Sequence, residues 1–120
     1  MNMNINTKII VFCNRWIELF SNKNTLFYQL TDDRSFADDC FSFGWEMDCG
    51  KSFFQKHLCE NFDEALHCIE QENNLDLLGS LLFSHWRYFN HWAYSGAEIL
   101  EHRGWFVAVL KRIKAIISEK

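Results

Sequence analysis

The stretch Leu77–Tyr94, LLGSLLFSHWRYFNHWAY, holds residues whose types and spacing suit anion binding or proton transfer. Wound as a helix at about 100° per residue, Ser80, Ser84, Arg87 and His91 fall on one narrow polar stripe. Arg87 is always charged and presents its donors in a planar fork. His91 stands one turn further on, at i+4, so the two can grip a carboxylate or phosphate together. Phe83, Tyr88 and Tyr94 flank the stripe, which separates it from an ordinary solvated face. A polar stripe walled by rings is either a buried hydrogen-bonded network or a binding surface. As a site, it is a small enzyme or ligand-binding centre with Ser84, Arg87, Tyr88 and His91 around an anionic group.

The structural reading of the same stripe is preferred to catalysis. A buried Arg87 needs a carboxylate or several carbonyls. Asp38, Asp39, Glu46 and Asp48 are the candidates, and they would tie the aromatic helix to the 32–48 region. Leu78, Leu82, His85, Phe89 and Trp92 take the opposite face. His85 is expected to be a hydrogen-bonded core residue. Trp86, Phe89 and Trp92 are expected to stabilise the fold, because a helix apolar on nearly every side is a central one.

Other candidate chemistry is weaker. His57, Cys59, His67 and Cys68 lack the C-x₂₋₄-C or H-x₃₋₅-H spacing of zinc sites, so no metal and no other cofactor is expected. Cys49, beside Lys51, is a nucleophile candidate without a partnered His. Phosphate-binding glycine loops, a G-x-S-x-G elbow and H-E-x-x-H are all missing.

The elements that must position these residues read as helices. Thr7 is expected to cap a first helix over 8–21, with Ile9, Ile10, Cys13, Trp16, Ile17 and Phe20 at helical spacing. Residues 25–31, TLFYQLT, suit one short strand. A helix runs from the TDD at 31–33 to about Phe43, and Gly44 suits the left-handed position that ends it. The alternation Phe41, Phe43, Trp45, Met47, Cys49 competes with that helix, and 45–48 is taken as a short extended piece. A short helix is expected at 52–58. Asn61 with Glu64 starts another that runs to Glu72, where Asn73 and Asn74 break it. The aromatic helix follows over about 75–94. Ser95 with Glu98 opens the last segment, which Gly104 is expected to divide. Lys111, Arg112 and Lys114 are read as complementing the negative end of that last helix.

Composition bounds the rest. With 120 residues, 48% of them hydrophobic, one domain spanning 1–120 can bury about two thirds of its unfolded surface. The absence of Pro favours helices. Twelve Phe and five Trp are enough that some should lie at the surface as contacts. Residues 31–76 carry twelve acids against Arg34, Lys51 and Lys56, a net −9 within an overall −4. That acidic middle disfavours nucleic acid and anionic membrane and suits a basic protein partner. IIVFC is broken by Asn14 and Arg15, so no membrane span is expected. Five Cys without a C-x-x-C pair or an export signal point to a reduced, cytoplasmic protein.

The segments LGSLLFSHWRYFNHWAY and RGWFVAVLKRI resemble a group of small bacterial proteins of unassigned function. Their pattern L-G-S, F-S-x-W-R-Y, H-W, W-F is carried here by Leu78, Gly79, Ser80, Phe83, Ser84, Trp86, Arg87, Tyr88, His91, Trp92, Trp105 and Phe106. A weaker likeness extends over TDDRSFADDCFSFGWEMDCGKSF. The resemblance implies a bacterial cytoplasmic origin.

Together these readings give a mainly α, single-domain fold of about five helices, with one short strand pair as an optional addition. Two function classes stay open beside a purely structural domain. The first is a protein-binding module similar to immunity or antagonist proteins. Its acids at 32, 33, 38, 39, 46 and 48 would form the rim, with Phe41, Phe43 or Trp45 as anchors. The second is the enzyme or anion-binding centre on the Arg87 stripe.

Overall fold

The computed structural model describes residues 4–22, 34–45, 62–89 and 96–119. Within them lie five helices: α1 (Ile5–Ser21), α2 (Arg34–Ser42), α3 (Phe62–Gln71), α4 (Leu75–Phe89) and α5 (Gly96–Ser118). The described residues contain no strand. The strand expected at 25–31, the extended piece beyond Trp45 and the helix expected at 52–58 lie outside the described residues.

Helix α1 starts earlier than its periodicity suggests. Asn4, not Thr7, is the cap, and its Oδ1 accepts from the Thr7 amide at 2.9 Å. Thr7 is therefore the third helical residue, where its amide is one of the orphan donors. Ile9, Phe12, Cys13, Trp16 and Phe20 recur on one face, and all are buried.

Helix α2 buries Phe36 and Cys40. It ends in a Schellman motif. The Trp45 amide donates to Cys40 O at 3.1 Å, the Gly44 amide donates to Phe41 O at 3.0 Å, and Gly44 has φ 81°. Glycine takes that left-handed conformation without a Cβ clash, as expected for this position. The motif reverses the chain and drops Trp45 into the interior. Helical spacing thus wins over the strand-like alternation, because Phe36 and Cys40 bury on one side while Phe41 stays out.

Three residues join α3 to α4. Glu72 Oε2 accepts from the Asn73 and Asn74 amides, and Asn74 Oδ1 caps α4 by accepting from Leu77 N at 3.1 Å. From Leu78 to Trp86 every residue of α4 but the half-buried Ser80 is buried. This is the central helix that its all-round apolarity implies, and Trp86 is in the core at 6% exposure. The side chain of Phe89, and Trp92, lie outside the described residues.

Helix α5 packs against α1, α3 and α4. Trp105, Phe106, Val109, Leu110, Ile113, Ile116 and Ile117 are buried along one face. Gly104 does not divide the helix: α5 runs through it to Ser118. One glycine costs a helix about 1 kcal/mol, which the buried face on either side outweighs.

Rings dominate the interior. Phe20 stacks on Phe106 at 4.4 Å, Trp16 meets Phe36 edge-on at 5.0 Å, and Phe36 stacks on Trp86 at 5.9 Å. The indole N–H groups of Trp16, Trp86 and Trp105 are buried with no acceptor among the described residues. Each orphan donor costs about 1–3 kcal/mol, which the area buried by such large rings must exceed.

Candidate partner-binding face

The polar stripe of α4 does not stay together. Ser84 is 4% exposed and belongs to the core, Ser80 is half-buried, and Arg87 is exposed. The middle of α4 is enclosed, so Ser84 is drawn into the core, while the Arg87 side chain further along reaches solvent. His91 and Asp48 lie outside the described residues, as does the side chain of Tyr88. The buried Arg87–carboxylate tie is not what forms: an exposed guanidinium keeps its water and has no need of a buried counter-ion. Asp38, one expected partner, is itself exposed, and Asp39 is half-buried.

His85 sits where the apolar face of α4 requires. It is fully buried, its ring 3.9 Å from Trp105 and 5.0 Å from Phe106, centroid to centroid.

Trp45 corrects the list of surface anchors. It is 2% exposed and lies on Gly79 of α4, where a Cβ would overlap the Cγ, Cδ2 and Cε2 atoms of the indole. Phe12 and Phe43 meet it edge-on at 5.8 and 5.0 Å. Phe43 is half-buried by the same contacts.

Phe41 is the anchor that remains outside. It is 66% exposed, and its ring meets the buried Phe83 of α4 edge-on at 5.3 Å and 77°. Asp38 lies one turn before it on α2, and Arg34 one turn before that, both exposed. Arg87 follows Phe83 by one turn on α4, so it emerges beside the same ring. Ser42 is exposed too, its hydroxyl donating to Asp39 O at 2.7 Å. The face is therefore an exposed aromatic resting edge-on against Phe83, with Arg34 and Asp38 on its own helix and Arg87 one turn beyond Phe83.

The arginines that do build the interior are on α5. Arg103 Nε donates to Phe20 O at 2.9 Å, and its Nη2 donates to Leu19 O at 3.3 Å and to Asn22 O. These are carbonyls at the C-terminal end of α1, beyond the reach of the regular i+4 amides, and Leu19 O takes the Asn22 amide as well. Burial pulls the Arg103 guanidinium below its ordinary pKa. Arg112 Nε donates to Glu72 O at 2.8 Å and its Nη2 to Asn73 Oδ1, at the end of α3. The two residues are nine apart, half a turn out of phase, so they flank the buried face of α5 on opposite sides. Arg112 does not serve the end of its own helix, as its place near the C-terminus suggests, because α5 continues past it to Ser118. A local signal existed: each arginine borders an apolar helix face. Which helix end it would reach depends on packing.

Of the cysteines, Cys13 and Cys40 are buried and Cys68 is exposed, all as free thiols. Burial pushes the Cys13 thiol up to about 12, and burial with the nearby Asp39 raises that of Cys40 as well. Neither can act as a thiolate near neutral pH. Among the described residues no three of His, Cys, Asp and Glu come together as a metal site. His57, Cys49 and Cys59 lie outside the described residues. No described helix is long and apolar enough to cross a membrane.

Compared with known protein families, curated proteins and solved structures, the chain matches none.

Proposed function

We propose that the chain is a protein-binding module of immunity or antagonist type, which blocks a basic protein partner through the Phe41 face. The observation that carries this reading is the contrast among phenylalanines. Phe12, Phe20, Phe36, Phe83 and Phe106 are at most 3% exposed, whereas Phe41 is 66% exposed. Ile5 and Val11 are also exposed, but singly among polar neighbours, which is normal for a surface. Phe41 differs because its ring rests edge-on against Phe83 and charged residues lie on the same face. Burying it against a partner is worth about 1.5–3 kcal/mol. Asp38 stands beside Arg34 and Arg87, so the described rim is mixed in sign, and the preference for a basic protein over nucleic acid rests on the net −9 of residues 31–76. We place the encounter in a bacterial cytoplasm, a compartment that suits the free thiols of Cys13, Cys40 and Cys68.

The test places a photo-crosslinking phenylalanine analogue at position 41 in source cells, with position 11 as control. A partner captured at 41 and not at 11 is then purified and titrated. Phe41→Ala is expected to weaken binding by about tenfold or more at an unchanged melting temperature. A captured protein that binds Phe41→Ala as well as the unaltered chain would sink this reading, as would no adduct at 41.

A further inference from the structure

A second surface lies away from Phe41. A cleft of about 490 Å³ opens between α3 and α5. Its floor on α5 includes Gly104, Ala108, Lys111 and Ala115, spaced i, i+4, i+7 and i+11, and its α3 wall is Leu66 and Glu70. This line of α5 is opposite the buried face that carries Trp105, Phe106, Val109 and Ile113. Gly104 and Lys111 are exposed, and Ala108 and Ala115 are half-buried. The short side chains of Gly104, Ala108 and Ala115, with Lys111 set among them, line about 16 Å of helix and let another backbone come close on either side of the lysine. Arg112 holds the wall in place by gripping the end of α3.

Charge divides along the cleft. Of the lining residues, the α3 side presents the exposed Glu70, and the α5 side presents the exposed Lys111 and the half-buried Arg112. We infer that the cleft is the interface of a homodimer whose two-fold axis runs along it. Such an axis lays α3 of each copy over α5 of the other, so Glu70 of one copy meets Lys111 of the other, twice. An axis across the cleft would instead stack α3 on α3, acid against acid. Adjacent strips of opposite sign are self-complementary under a two-fold, whereas a groove of single sign would select a different molecule. The cleft shares no lining residue with the Phe41 face.

Sedimentation equilibrium of the full chain over a range of concentrations and salt tests this. A concentration-dependent dimer that loosens with added salt is expected. Glu70→Lys and Lys111→Glu are each expected to raise its Kd by roughly tenfold, and the double reversal to restore it. Both positions are exposed, so folding is retained, and circular dichroism checks this. Ala108→Gln fills the floor without changing charge and is expected to weaken the dimer too. A monomer at every concentration overturns the inference. So does a dimer indifferent to these three single changes, or a double reversal that fails to recover.

Discussion

The inner and outer sides of α2 differ in almost every respect, although they are built from neighbouring residues. Inward, Phe36, Cys40 and Trp45 are at most 2% exposed, and Trp45 rests on the backbone of α4 at Gly79. Outward, Arg34, Asp38 and Phe41 face solvent. Both sides touch α4, yet only the inner contact is interlocked, since it needs a residue without Cβ opposite it. The outer contact is one edge-on ring pair with most of Phe41 still open. Proximity to the same helix therefore stabilises in one case and displays in the other. The dividing factor is whether water is excluded from both partners.

The strongest way to break this comparison is Gly79→Ala. The added methyl lands on the centre of the Trp45 indole, which is enclosed and cannot swing away. Overpacking there is expected to cost about 3 kcal/mol, read as a lower midpoint in denaturant unfolding. Trp45→Ala should cost about 3–5 kcal/mol. The double variant should lose less than the sum, because the new methyl then occupies vacated space. Strict additivity would show that the two residues are not interlocked.

Arginines sharpen the contrast next. Arg103→Ala removes one donor each from the α1-end carbonyls of Phe20 and Leu19, an expected loss of about 1–3 kcal/mol. Arg87→Ala, on the outer side, is expected to change stability by less than about 0.5 kcal/mol. Thermal melts of both variants check the order. A larger loss at Arg87 would restore the buried tie first expected for it.

Thiols report the same inside–outside difference. Alkylation with peptide mapping should modify Cys68 at neutral pH and spare Cys13 and Cys40 until the chain unfolds. The pH dependence follows from the raised folded-state value at Cys13, from 9.0 to about 12. Above about pH 9 the unfolded thiol loses its proton while the folded one keeps it, so the folded state binds more protons. Stability is untouched by this group below about pH 9 and falls as pH rises from 9 toward 12. Cys40 acts in the same direction. Alkaline unfolding that Cys13→Ala fails to postpone would count against this.

Phe41→Ala is expected to leave stability within about 0.5 kcal/mol, because most of the ring is already in water. A loss as large as that of Trp45→Ala would mean that the outer side is core after all.

Much of the local structure was legible in the sequence, for a local reason. Helical periodicity and glycine at a left-handed position are properties of a few adjacent residues. So α1, α2 and α4, the Schellman end at Gly44 and the buried run around Trp86 could be anticipated. The cap of α1 was missed by one turn because Asn4 and Thr7 are both good capping residues, and only the backbone path separates them. Tertiary packing alone settled which polar groups meet. Arg103 serves the end of α1, 83 residues away, and Arg112 serves the end of α3, while Arg87, which looked most in need of a partner, reaches water. Periodicity states which face of a helix is apolar, but not how deep its flanks lie or which helix end lies against them. Those depend on how the helices cross, and the same limit explains why Trp45 and Phe41, both rings in one short stretch, ended on opposite sides of the surface.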